Sequence, residues 1–209
     1  MNESQPATTM DRVNLGLAAR YRKEKRFRFF GLSAIVMSLL FLVLLLGSIV
    51  AKGYTAFLQT EILLDIYLDP LVLDVNNLAT ANYAALLRKA TWDVFPQVSG
   101  RQDKRNVSKL ISTGASFQLQ KLVTNQPELI GSTQSLWVPA DDEVDMFVKG
   151  HIPRDVPESE RRISDKEIGW IDQLVAAGRL KKSFNSTFFE NGDSREPELA
   201  GIRGATMGS

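Results

Sequence analysis

Twenty-three consecutive uncharged residues, FFGLSAIVMSLLFLVLLLGSIVA from Phe29 to Ala51, constrain this chain more than any other feature. Wound as a helix rising about 1.5 Å per residue, the run is about 35 Å long. That is enough to cross a hydrocarbon layer of about 30 Å with some tilt. A helix in a soluble core would carry polar residues at helical spacing, and Ser33, Ser38 and Ser48 make no such face. A cleavable signal peptide normally has an apolar region of only about 7–15 residues. The run predicts a transmembrane helix bounded by Arg28 and Lys52.

The flanks predict its direction. Residues 1–28 hold seven basic groups (Arg12, Arg20, Arg22, Lys23, Lys25, Arg26, Arg28) against Glu3, Asp11 and Glu24, a net of +4. Lys and Arg are retained on the cytoplasmic side, so the N-terminus is expected inside and residues after 52 outside. The aromatic-laced basic run RYRKEKRFRFF suits the anionic inner leaflet better than nucleic acid. Phe27, Phe29 and Phe30 at one end, with Tyr54 and Phe57 at the other, match interfacial aromatic belts.

Residues 53–209 carry 17 basic and 21 acidic groups, a net of −4, and no second long apolar run. They are expected to form one water-soluble α+β domain, mostly helical, with a small sheet. Ile62, Leu64, Ile66 and Leu68 alternate as the buried side of a strand stopped at Pro70. An Ala/Leu-rich stretch from Asn77 to about Phe95 predicts a helix with Leu78, Ala81, Ala85 and Trp92 inward. Val107, Leu110, Ile111 and Gly114 suggest a second helix running to Val123, and Ser135–Val138 a short strand ended by Pro139. In a third helix, Ser164 and Glu167 make a capping box flanked by Ile163 and Ile168. Ile168, Ile171 and Val175 line its inner face and Gly178 ends it. Arg179, Lys181 and Lys182 then lie at the negative end of its dipole. Thr187–Phe189 is a last strand candidate, leading into the turn Asn191-Gly192-Asp193. The expected division is a basic cytoplasmic tail over 1–28, a transmembrane helix over 29–51, an extracytoplasmic domain over 52–195 and a small-residue segment over 196–209.

The residue inventory excludes much chemistry. No Cys means no disulfide, thiol catalysis, iron–sulfur cluster or Cys-bound zinc, and one histidine, His151, rules out paired-imidazole sites. No Walker A sequence and no G-x-S-x-G elbow is present. Asp141, Asp142, Glu143 and Asp145 form the densest acidic cluster. It lacks the Gly and distal Glu of an EF-hand loop, and it suits the positive end of a helix. His151 has no evident catalytic partner. The tripeptides at Asn106 and Asn185 match glycosylation acceptors, which matter only in a eukaryotic secretory route. The sequence thus offers no catalytic residue, no metal ligand set and no cofactor motif, and it is read as a non-enzyme. Near the end, Pro197 with Glu196 and Glu198 suits a helix start. Gly204 and Gly208 have the G-x-x-x-G spacing that lets membrane helices approach closely.

Three segments, RYRKEKRFRFFGLSAIVMSLLFLVLLLGSIVAKGYTAFLQTEILLDI, IGWIDQLVAAGRLKKSFN and STFFENGDSREPELAGIRGATMGS, resemble the N-terminal region of PstA-type permease subunits of bacterial phosphate ABC transporters. The resemblance implies a first membrane helix, an extracytoplasmic insert, and entry into a multi-span permease core after the small-residue segment. That core, with its coupling loop and the helices lining the phosphate path, is not in these 209 residues. It also implies the bacterial inner membrane as location, with a second permease subunit, ATPase subunits and a periplasmic phosphate-binding protein as partners. No phosphate-binding residue is carried over; Ser194 and Arg195 are conceivable anion donors near a helix start, with a structural turn as the simpler role. The alternative is a stand-alone single-span module for interaction or sensing at the cell envelope.

Overall fold

The computed structural model describes residues 9–192, 194 and 200–208, with side chains from residue 20 onward. Two compact units, Met1–Gly53 and Tyr54–Ser209, divide the chain.

The first unit is one helix, α1 (Thr9–Gly53). It does not stop where the charge begins at Arg28. Lys, Arg and Glu are good helix formers, and Arg28 Nη2 donates to Glu24 Oε1, one turn back, at 2.6 Å. The basic segment from Arg20 and the apolar span are therefore continuous helix. Ser38 Oγ donates to the Ala34 carbonyl at 2.9 Å, so a hydroxyl inside the apolar run is satisfied by the helix itself.

The second unit is α+β and mostly helical, built on a three-stranded antiparallel sheet. Its strands are β1 (Leu58–Tyr67), β2 (Thr133–Pro139) and β3 (Leu180–Phe184), in the order β2-β1-β3. The central strand pairs Leu64 with Leu136 on one side and Leu58 with Phe184 on the other. Thr60, Ile62, Leu64 and Ile66 point into the core, followed by Leu68 just beyond the strand. The opposite face is polar and tied across strands. Lys181 pairs with Glu61 at 3.2 Å and lies over the Trp137 ring, 4.2 Å from its centroid. Lysines on the edge strand β3 also discourage pairing with another chain.

Helices α2 (Tyr83–Val94), α3 (Arg101–Ser108), α4 (Gly114–Asn125), α5 (Asp142–Val148) and α6 (Asp165–Ala176) supply the rest of the core. The α6 capping box forms as its spacing predicts, with Ser164 N donating to Glu167 at 2.8 Å and Glu167 N donating to Ser164 Oγ at 3.3 Å. Gly178 has φ +65, and Arg179 N donates to the Leu174 carbonyl, closing the helix end in a conformation other residues resist.

Several sequence expectations are corrected. α2 starts at Tyr83, because Asn82 accepts from the Ala85 amide and caps it there. Its buried face is Tyr83, Leu86, Leu87, Ala90 and Thr91; Leu78, Ala81, Ala85 and Trp92 are only half-buried. Trp92 Nε1 instead donates to Ser108 Oγ, at 2.9 Å. The single helix expected through Val123 is two, since residues 110–112 leave helical bonding for an extended pairing. Ser112 N donates to the Pro139 carbonyl and Asp141 N to that of Leu110, around a bridge between Ile111 and Ala140. In α6, Val175 faces solvent while Trp170 and Leu174 are buried beside Ile168 and Ile171. Thr187–Phe189 is not a strand but lies in a short helix, α7 (Thr187–Glu190), and the strand is the preceding LKKSF.

A last helix, α8 (Arg203–Met207), follows a segment that folds back onto α7. Gly201 N donates to Gly192 O and Ile202 N to Phe188 O, both at 2.8 Å. A Cβ at Gly201 would lie 2.3 Å from the Asn191 carbonyl oxygen, so this return path needs glycine. The expected roles of Asp193, Arg195, Glu196, Pro197 and Glu198 lie outside the described residues.

Candidate functional site

The feature with the clearest chemistry is α1. Among the described residues it is the one helix long and apolar enough to cross a membrane, and none of its apolar window is buried by protein. Leu39, Phe41, Leu44 and Val50 are all exposed along it. So much bare hydrocarbon is unfavourable in water and favourable in lipid. Below it, Arg20, Arg22, Lys23, Lys25, Arg26 and Arg28 fall on all sides of the helix at about 100° per residue. Charge that encircles a helix suits a rod standing through a headgroup layer; a helix lying on the surface would need an apolar face.

In the second unit, the carboxylate of Asp65 accepts from Ser135 Oγ at 2.5 Å and from Arg179 Nη2 at 2.8 Å, while Arg179 Nη1 reaches the Leu63 carbonyl at 3.2 Å. It borders a cleft of about 460 Å³ with Asp93, Phe95, Gln173 and Leu174. The Ser135 hydroxyl, and then Arg179, hold the Asp65 carboxyl below the usual carboxylate range. Arg154 does the same to Asp172 through two bonds, at 2.7 and 2.9 Å. The Asp65 cluster thus clamps the sheet, tying β1 to β2 and to the start of β3. The Arg179 amide closes the end of α6 while its side chain belongs to this clamp.

Both carboxylates favour the charged form more in the folded chain than in the unfolded one. Their stabilisation is present above the unfolded carboxylate value of about 3.9 and is lost as pH falls through the lower folded values. The expected result is an acid-unfolding limb that Asp65→Asn flattens, read from tryptophan emission against pH; an unchanged limb would remove Asp65 from the clamp.

The acidic cluster is used in folding. Asp141 caps α5 by accepting from the Glu143 amide at 3.2 Å. Asp145 accepts from the buried Thr60 amide at 2.8 Å and pairs with Lys149 at 2.5 Å. No group of three His, Cys, Asp or Glu residues able to hold a metal occurs among the described residues. His151 Nε2 lies 3.1 Å from Thr55 Oγ1 and is exposed, with no carboxylate bonded to the ring among the contacts of the described residues. Ser194 is half-buried, whereas its neighbour Arg195 lies outside the described residues. Gly204 falls within α8 and Gly208 directly follows it.

One arrangement had no signature in the sequence. Arg88 from α2, Arg105 from α3 and Lys109 beyond it line a groove of about 340 Å³ with Thr91, Ser108 and Ser112. No carboxylate is among its lining residues, so the groove is attractive to anions. Arg105 and Lys109 are four positions apart, but Arg88 comes from another helix, so no linear spacing joins all three.

A family model described as a Domain of unknown function (DUF3333) matches residues 14–158. No curated protein and no solved structure matches the chain. The family match starts within α1, runs through the basic foot and the apolar span, and continues past β1, β2 and α5. Because it takes in well over half of the chain, the protein belongs to the DUF3333 family.

Proposed function

We propose that this chain is the first membrane helix and extracytoplasmic domain of the permease subunit of an ATP-driven phosphate importer, with no catalytic activity of its own. The observation that carries the reading is an apolar helix bare of protein contacts, with a cationic foot, joined to a domain that has its own core. The family match supports treating the foot, the span and the domain through α5 as one inherited unit. Phosphate and the ABC machinery come from the resemblance of the segments around Arg20–Ile66, Ile168–Asn185 and Ser186–Ser209. In this reading the N-terminus is cytoplasmic at a bacterial inner membrane and residues after 52 are periplasmic. A second permease subunit, ATPase subunits and a periplasmic phosphate-binding protein complete the machine. ATP hydrolysis in the partners drives alternating access, while this domain supports the outer face or docks the binding protein.

Deleting residues 60–190 from the full-length permease should lower phosphate uptake and weaken binding-protein affinity. If both are unchanged, the docking role is wrong. Co-purification of ATPase subunits with the full-length protein tests the assembly. Their absence would favour a second reading, a single-span interaction or sensing module, which the self-contained core of Tyr54–Ser209 supports.

A further inference from the structure

The second unit carries an aromatic cluster that its core does not use. Phe57 stacks on Phe189 with ring centroids 5.9 Å apart, Phe189 stacks on Phe184 at 5.5 Å, and Phe188 meets Phe189 edge-on at 5.1 Å. Phe184 is 66% exposed, Phe189 43% and Phe57 41%. These rings come from three places: the turn before β1, the end of β3, and α7. Asn185 N donates to the Phe57 carbonyl at 2.9 Å, holding the segments together. A contiguous patch of bare rings on a water-soluble domain is disfavoured unless something covers it.

The chain itself indicates the cover. Only Tyr54, Thr55 and Ala56 separate Phe57 from Gly53, the last residue of α1. Four residue steps extend at most about 14 Å, so Phe57 cannot lie far from the end of the span in any orientation of the domain. The polar headgroup layer is several ångströms deep on each side of the hydrocarbon, and aromatic residues are enriched there. Tyr54, also exposed, begins the same stretch.

We propose that Phe57, Phe184 and Phe189 form a lipid-contacting foot of the domain, seated in the outer interfacial layer of the bilayer. This rests on the membrane reading of α1 and goes beyond it, because it assigns lipid contact to residues more than 130 positions after the span. The foot gives the domain a fixed end toward the membrane. Phe184 pairs with Leu58 and Thr133 with Tyr67, so the other end of β1 lies about 30 Å away along the strand.

The chain has no cysteine, so single spin labels can be placed without background. Phe184→Cys, Thr133→Cys and Leu40→Cys in the full chain, reconstituted in phosphatidylethanolamine–phosphatidylglycerol liposomes, would be compared for collision with molecular oxygen and a water-soluble nickel chelate. Position 184 should collide more with oxygen, as position 40 does, and position 133 more with nickel. Lys182→Cys, on the same face of β3 two residues earlier, repeats the reading without removing a ring and should also favour oxygen. With position 40 in lipid, nickel preference at 184 and 182 overturns the foot and leaves the span intact. Shielding of both from both reagents also overturns it, since a second copy or another protein segment then covers the rings. Nickel preference at position 40 would instead overturn the membrane reading, and the foot with it.

Discussion

Leu64→Ala is expected to cost the second unit about 2–5 kcal/mol, because it empties the middle of the central strand. Leu64 is 1% exposed, in register with Leu136, and belongs to the core that α2, α4 and α6 complete. At about 2–4 °C per kcal/mol for a unit of this size, the melting temperature should fall by about 10 °C. All three tryptophans, Trp92, Trp137 and Trp170, lie in this unit, so their emission follows its melting without interference from α1. Leu71→Ala is the control: Leu71 is 95% exposed, and its loss should stay within about 0.5 kcal/mol. Equal melting of the two variants would mean that β1 is not the centre of the core.

The second large effect concerns direction in the membrane. Replacing Arg20, Arg22, Lys23, Lys25, Arg26 and Arg28 with glutamine turns residues 1–28 from net +4 to net −2 and leaves Lys52 as the nearest cation on the far side of the span. Orientation follows the Lys/Arg bias close to a span, so the exported fraction should drop from nearly all to under half. Labelling of Thr133→Cys in intact spheroplasts by an impermeant maleimide reads this directly. Full labelling after the six changes would show that the foot does not set direction.

Some elements were legible because local chemistry and burial agreed. The alternation of Ile62, Leu64, Ile66 and Leu68 is the buried pattern of β1, and Ser164, Glu167 and Gly178 bracket α6 as caps do anywhere. β3 was not legible. In LKKSF neither face is uniformly apolar, and the segment is a strand because β1 offers it an unpaired edge. The break between α3 and α4 was hidden for a similar reason. Residues 107–115 keep helical spacing, yet the Pro139 and Leu110 carbonyls draw amides across the chain at 110–112. The face of α2 was misread because Ala85 and Trp92 fit one stripe as well as Leu86, Leu87 and Ala90 fit another. Only packing against β1 chooses between them. The candidate site followed the same division. Asp65, Ser135 and Arg179 are far apart in sequence, as Arg88 is from Arg105 and Lys109, and no spacing rule connects the members of either set.

By itself the sequence determined an uncharged helix long enough to cross a bilayer, its cationic end, and an appended α+β domain. Each of these depends on runs, periods and caps set by neighbours within a few positions. Tertiary structure decided which edge β3 joins, where the long helix breaks, that the acidic cluster braces Thr60 and Lys149, and that Phe189 stacks on both Phe57 and Phe184. Those contacts depend on loop closure across tens of residues and on competition between faces of similar apolarity, which a local pattern cannot rank.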